Sequence, residues 1–167
     1  MKLWLLRHAE AKPVGGAGVT HDAKRPLTAR GQRRARLMGE MLARLDAKPC
    51  AIASSPLLRA RETADLVRAA LGITPPVALL PELEPDGPPE AAWKALEPLL
   101  GGDLLLVGHL PSLEVLAGWL LSPHHPPAVH LRKTAAVELL FDGPAKPGHA
   151  TLEWLVSPAL VETLRSR

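Results

Sequence analysis

The sequence predicts an α/β fold, a three-layer sandwich in which a mostly parallel central sheet lies between layers of helices. Short runs that are apolar throughout alternate along the chain with segments of helical periodicity, and Gly- and Pro-rich turns separate them. Continuous apolar runs are typical of strands buried on both faces of a parallel sheet. Because 167 residues fit one hydrophobic core, we expect a single domain over residues 1–167.

The predicted elements follow one another with few long connections. They are a strand at 3–6, a helix from 28 to 45, a strand at 50–53, a helix from 56 to 72, a short strand at 77–80, a helix over 90–100, a strand at 104–107, a helix over 112–121, strands at 135–141 and 150–156, and a short carboxyl-terminal helix. Thr28 is placed to cap the first helix. For the second, Ser55 is the expected cap and Pro56 the first helical residue.

Three of these strands end in polar residues. Arg7 and His8 follow the first, Ser54, Ser55 and Arg59 follow the second, and Gly108 and His109 follow the fourth. Ligands of parallel α/β sheets bind beyond the carboxyl ends of the strands, so we expect these side chains to share one site.

The residue types at these strand ends suit phosphoryl transfer. A phosphoryl group spreads negative charge over its oxygens and needs fixed donors around it and a nucleophile in line. Arg7 and Arg59 offer planar forks for those oxygens, and His8 and His109 add imidazoles. The sequence therefore predicts a phosphoryl-transfer site.

Composition argues against several other functions. The net charge is only +3 and the chain has no Tyr and one Phe, so neither a basic stripe nor a stacking platform for nucleic acid is indicated. No apolar run is long enough for a membrane span or a secretory signal, and we expect a cytoplasmic protein. The single cysteine, Cys50, is expected to be a buried small hydrophobe in a reducing compartment.

Two further patterns have a less specific interpretation. The run HHPPAVH offers His124, His125 and His130, but its Pro-rich spacing and lack of acidic partners favour a solvated loop over a metal site. We expect no metal and no cofactor. Five arginines on the first helix are expected to form a solvated face that could also meet an acidic phosphoprotein: Arg30, Arg33, Arg34, Arg36 and Arg44.

Four segments in order, LLRHAEA, RPLTARGQRRA, SSPLLRARETA and LLLVGHLPSLE, resemble the histidine phosphatase superfamily, whose fold is phosphoglycerate mutase-like. The resemblance runs from residue 3 to about residue 117. It implies that His8 attacks phosphorus to form a covalent phosphohistidine, while Arg7, Arg59 and His109 clamp the oxygens. Arg25 is a further candidate for substrate binding. A nucleophilic His8 needs a lone pair on one ring nitrogen, so we expect the other to donate to a carbonyl.

The chain departs from the broad family pattern at three places. Ala9 replaces the glycine usual after the nucleophile, Leu110 stands where Asn often follows the second histidine, and the large insertion that brings a catalytic acid is missing between Leu80 and Leu104. This brevity is similar to the SixA-type phosphohistidine phosphatases. Four carboxylates remain open as general acids: Glu10, Glu82, Glu84 and Asp86.

The expected function is therefore hydrolysis of phosphohistidine in a phosphorylated protein, such as a histidine phosphotransfer domain. An imidazole leaves far more readily than an alkoxide and needs less help from an acid. Two alternatives stay open. One is a small-molecule phosphomonoesterase on the same scaffold, and the other is a non-catalytic module that binds phosphate or a phosphoprotein.

Overall fold

The computed structural model describes residues 1–16, 18–124, 126 and 128–165. The strands are β1 (Lys2–Arg7), β2 (Ala51–Ser54), β3 (Ala78–Leu79), β4 (Leu104–Gly108), β5 (Ala136–Leu140) and β6 (Thr151–Val156). The helices are α1 (Ala29–Arg44), α2 (Leu58–Leu71), α3 (Pro89–Leu96), α4 (Ser112–Leu121) and α5 (Pro158–Arg165). Short 3₁₀ turns cover Asp22–Lys24, Pro81–Leu83 and Glu97–Leu99.

One six-stranded sheet runs through the molecule in the order β3-β2-β4-β1-β5-β6. The pairs β2–β3, β2–β4 and β1–β4 are parallel, whereas β5 is antiparallel to both of its neighbours. β5 is thus the one strand of this sheet that runs against the others. The prediction of a mostly parallel sheet between helices is confirmed.

Two apolar layers cover the two faces of the sheet. Alternate residues of β1 point to opposite sides: Leu3 and Leu5 pack in one layer with α3 and α4, and Trp4 and Leu6 pack in the other with α1, α2 and α5. β1 and β4 are buried along nearly their whole length because both faces are covered.

The start of α1 is built as the sequence indicates. Thr28 Oγ1 accepts a hydrogen bond from Gly31 N at 3.0 Å. A side-chain carbon at Gly31 would collide with the backbone oxygen of Glu10, so glycine allows α1 to approach the loop that follows β1. This contact sets the helix against the segment that carries His8.

Three local expectations were wrong. α2 begins at Leu58 and not at Pro56, because the Ser55 hydroxyl accepts from Leu57 N within a turn and also faces His109. The helix expected to reach residue 100 ends at Leu96, and Pro98 lies in a following 3₁₀ turn. Cys50 is exposed, because it lies just before β2 at the amino-terminal edge of the sheet.

Candidate active site

The sheet register brings the polar strand ends together. Arg7 in β1 is paired with Gly108 in β4, and His8 N donates to the carbonyl of Gly108 at 3.0 Å. Ser55 N donates to Val107 O, also at 3.0 Å, which places the end of β2 on the other side of β4. The His8 and His109 rings are consequently neighbours, with centroids 4.8 Å apart.

His8 is held in a defined tautomer. Its ring is buried, and Nδ1 lies 2.7 Å from the carbonyl oxygen of Ala9. A carbonyl can only accept, so Nδ1 donates and Nε2 carries the lone pair, as expected for a nucleophile. Ala9 is itself fixed, because its N–H donates to Thr63 Oγ1 at 3.0 Å.

His8 is neutral at physiological pH. Burial is the main cause that lowers its pKa to about 4, and the charges of Arg59, Arg7 and Lys133 act in the same direction, whereas the Ala9 carbonyl opposes them. The lone pair on Nε2 is therefore available at pH 7.

His109 is oriented by Ser55, which the sequence indicated both as a polar strand end and as a helix cap. Its Nε2 lies 2.9 Å from Ser55 Oγ. That oxygen already accepts from Leu57 N, so its hydrogen can be donated to Nε2, and in this tautomer Nδ1 carries a hydrogen. Burial, with the neighbouring His8 next in effect, lowers the pKa of His109 to about 3.

Arg7 and Arg59 lie close enough to the two histidines for both of their charges to lower the pKa values of His8 and His109. Arg7 Nη1 donates to Leu131 O at 2.9 Å, and Arg59 Nη1 donates to Asp22 through its carbonyl at 3.1 Å and its carboxylate at 3.0 Å. Each guanidinium keeps a buried Nε without a partner among the described residues, as does His109 at Nδ1. Buried donors without acceptors are costly, so an anion that accepts from them would be strongly favoured.

Arg25 reaches this cluster indirectly. Its Nε donates to Lys12 O at 2.6 Å, and its Nη1 contacts Asp22 Oδ1 at 2.9 Å. Asp22 thus bridges Arg25 and Arg59, and the hydrogen bond from Arg25 is the main cause that lowers the pKa of its carboxyl. Sequence reasoning missed Asp22, whose only signal was its position three residues before Arg25.

The four candidate acids lie apart from these contacts. Glu10 Oε1 accepts from Thr28 Oγ1 at 2.8 Å, at the start of α1. In the described part of the chain, no side-chain hydrogen bond or ion pair joins Glu82, Glu84 or Asp86 to the histidines and arginines of the cluster. Leu80 N does donate to Ser54 O at 2.9 Å, so the segment that carries these acids borders the end of β2.

The described residues contain neither a candidate metal site nor a helix that could span a membrane. Among them, no group of three His, Cys, Asp or Glu side chains could hold a metal ion. His125, part of the run considered as a metal site, lies outside the described residues, and His130 Nδ1 contacts Glu114 Oε1 at 3.3 Å. None of the described helices is both long enough and apolar enough to cross a bilayer.

We expect the free energy of unfolding to fall as the pH drops from about 6.5 to 4. Both buried histidines have lowered pKa values in the folded state, to about 4 for His8 and about 3 for His109, so in this range the unfolded chain binds more protons. Each histidine should contribute a loss of roughly 3 kcal/mol near pH 4. Urea unfolding at pH 7 and pH 4.5 measures the loss, and a His8→Gln variant should show a smaller one. Equal pH dependence in the variant would contradict this assignment.

A model of the histidine phosphatase superfamily (branch 1) matches residues 3–84. The phosphohistidine phosphatase SixA of Escherichia coli K12 is 29% identical over 161 residues, which cover 95% of this chain and 94% of that protein. An uncharacterised protein of Picosynechococcus is 39% identical over 117 residues, 68% of each chain.

Solved structures match the fold over nearly its whole length. A protein histidine phosphatase SixA complexed with tungstate aligns with a TM-score of 0.80 at 28% identity, covering 95% of this chain and 98% of that one. An Escherichia coli structure described as a putative alpha-ribazole-5'-P phosphatase aligns with a TM-score of 0.73 at 21% identity, over 95% and 97% of the chains. At that identity the second match bears on the fold alone.

Proposed function

Because this chain belongs to the histidine phosphatase superfamily, we propose that it hydrolyses phosphohistidine in proteins through a phosphohistidine intermediate on His8. One observation carries the proposal: a neutral, buried His8 whose Nδ1 is held by the Ala9 carbonyl, next to His109 and near the buried Arg59 and the partly buried Arg7. Such a ring offers Nε2 as a nucleophile without first losing a proton.

In the first step, the lone pair of His8 Nε2 attacks phosphorus. A new P–N bond forms to His8 as the P–N bond to the substrate imidazole breaks, and that imidazole takes the bonding electrons and leaves. In the second step, water attacks the phosphorus, the bond to Nε2 breaks, and inorganic phosphate is released. The developing oxygen charge would be met by Arg7 Nε, Arg59 Nε and His109 Nδ1, which have no partner in the described part of the chain.

The absence of an acid contact supports a nitrogen leaving group. Glu82, Glu84 and Asp86 form no side-chain hydrogen bond or ion pair with the cluster in the described part of the chain. Asp22 does contact Arg59, and its carboxyl has a lowered pKa and is ionised at neutral pH. An alkoxide needs a proton from such an acid, which contributes about 10²–10⁴-fold in rate. A protonated imidazole ring of phosphohistidine leaves as a neutral molecule and needs none.

The likeness to SixA, a phosphohistidine phosphatase, supports the same substrate class. We therefore propose a phosphorylated protein as the partner, such as a histidine phosphotransfer domain. The proposed site of action is the cytoplasm. The rival phosphomonoesterase is favoured by one observation, namely that the acid-bearing segment borders the end of β2.

Turnover of substrates with different leaving groups distinguishes a phosphohistidine phosphatase from a phosphomonoesterase. We expect kcat/KM for a chemically phosphorylated histidine peptide to exceed that for sugar monophosphates by at least about 100-fold, which is the low end of an acid's contribution. Nitrophenyl phosphate, an ester with a good leaving group, is the matched control and should be hydrolysed well. Sugar phosphates turned over as fast as nitrophenyl phosphate would indicate a working acid and a phosphomonoesterase. Phosphate binding with no turnover of any substrate would indicate a binding module.

A further inference from the structure

A cavity opens beside Arg7, next to the proposed phosphoryl site. Its volume is about 290 Å³, and basic side chains dominate its lining. They are Arg7, Arg34, His130, Arg132 and Lys133, and the start of α5 at Ser157 and Pro158 closes the remaining side. The two sites therefore share one arginine.

The charges of this cavity are only partly compensated. Arg34 forms a two-point ion pair with Glu162, at 2.8 and 2.9 Å, and His130 contacts Glu114. Arg132 and Lys133 are exposed and take part in no side-chain hydrogen bond or ion pair with the described residues. Two cations are thus left to attract an anion at the rim, in a concave site where their fields add.

The two cations lie on a turn that is tied to β1. Ala135 N donates to Arg132 O at 2.8 Å, and Thr134 N donates to Arg7 O at 3.1 Å. Thr134 is buried with φ of 67°, a left-handed conformation that is unfavourable for a β-branched residue. Such a conformation persists only where the surroundings impose it, so the turn is held in one shape.

We propose that this cavity binds an acidic side chain that neighbours the phosphohistidine on the substrate protein. The proposal rests on the proposed function and adds a recognition element to it. The planar guanidinium of Arg132 would donate two hydrogen bonds to the carboxylate, and Lys133 would add a point charge. Because Arg7 contributes to both sites, the carboxylate and the phosphoryl group must lie close together on the partner. A second phosphoryl group of a small molecule offers similar chemistry and is an outcome of the test.

The test uses two phosphohistidine peptides of equal length, one with glutamates flanking the histidine and one with glutamines. In wild-type protein, KM for the glutamate peptide should be the lower, and added salt should reduce the difference. In the variant Arg132→Glu, we expect KM for the glutamate peptide to rise about tenfold or more, with kcat unchanged and the glutamine peptide little affected. The charge-matched control is Arg44→Glu, an exposed cation outside the cavity.

Three other results would contradict the proposal that the cavity binds an acidic side chain. Equal effects on the two peptides, or the same effect in the control variant, would overturn the proposal. Inhibition by pyrophosphate that depends on Arg132, with the two peptides hydrolysed equally well, would assign the cavity to a second phosphoryl group instead. Failure of the wild-type protein to hydrolyse either peptide is a different result, because it contradicts the proposed function itself, and the cavity proposal with it.

Discussion

Replacement of His8 by alanine is expected to lower kcat/KM for a phosphohistidine peptide by at least about 10⁴-fold, because removing a covalent nucleophile removes the reaction path. In the wild-type protein, Nε2 is the atom that accepts the phosphoryl group, held by the hydrogen bond from Nδ1 to Ala9 O. Alanine leaves the arginines in place, so binding of a phosphate mimic should weaken far less than turnover.

Rapid quench with labelled substrate measures the intermediate directly. Wild-type protein should carry a label that is stable in alkali and lost in acid, as expected for phosphohistidine, and His8→Ala should carry none. His149→Ala is the matched control, since His149 is exposed and distant in sequence from the site. A His8→Ala protein that still becomes labelled would move the nucleophile to another residue, with His109 the first to test because its ring is next to His8.

Replacement of Arg59 by alanine should cost about 10²–10³-fold in kcat/KM, which is the usual loss when one donor to a developing oxyanion is removed. Arg59 is 5% exposed, its Nη1 contacts Asp22, and its Nε is a buried donor without a partner among the described residues. Lysine restores the charge but not the planar fork, so Arg59→Lys should recover only part of the loss.

Arg61 provides the matched control for this series. It lies on the same helix two residues later and is exposed, so Arg61→Ala should retain nearly full activity. Folding is checked by thermal unfolding, where Arg59→Ala should stay close to wild type because the Asp22 carboxylate is 57% exposed and remains hydrated. A loss below tenfold in Arg59→Ala, or full activity in Arg59→Lys, would remove Arg59 from the clamp.

Much of the architecture follows from local patterns. A run such as residues 104–107 is apolar on both faces, and the helical period around residues 35–42 leaves a single apolar stripe, so strand and helix are distinguished without tertiary information. The predicted start of α2 was wrong because helix capping was inferred from neighbouring residues alone, with Ser55 as the cap. In the fold its hydroxyl also contacts His109, 54 positions away in the sequence.

The proximity of the candidate site residues was also predictable, since the carboxyl ends of parallel neighbours meet at one sheet edge. The contact between Asp22 and Arg59 was not, because it joins a loop and a helix 37 positions apart through an ordinary aspartate with no motif of its own. Exposure of Cys50 is a similar case. An apolar sequence neighbourhood predicts burial, but the cysteine lies just outside the strand at the sheet edge.

Local residue patterns are enough to predict the alternation of strands and helices, the strand ends that carry Arg7, His8 and His109, and the family resemblance. These depend on residue types and spacings within short segments. Three features became visible only in the folded chain: which nitrogen of His8 is free, which carboxylate touches Arg59, and that two cations beside Arg7 have no side-chain partner among the described residues. These depend on distances between segments far apart in the chain, where packing of the whole core sets each hydrogen bond, and no local pattern encodes them.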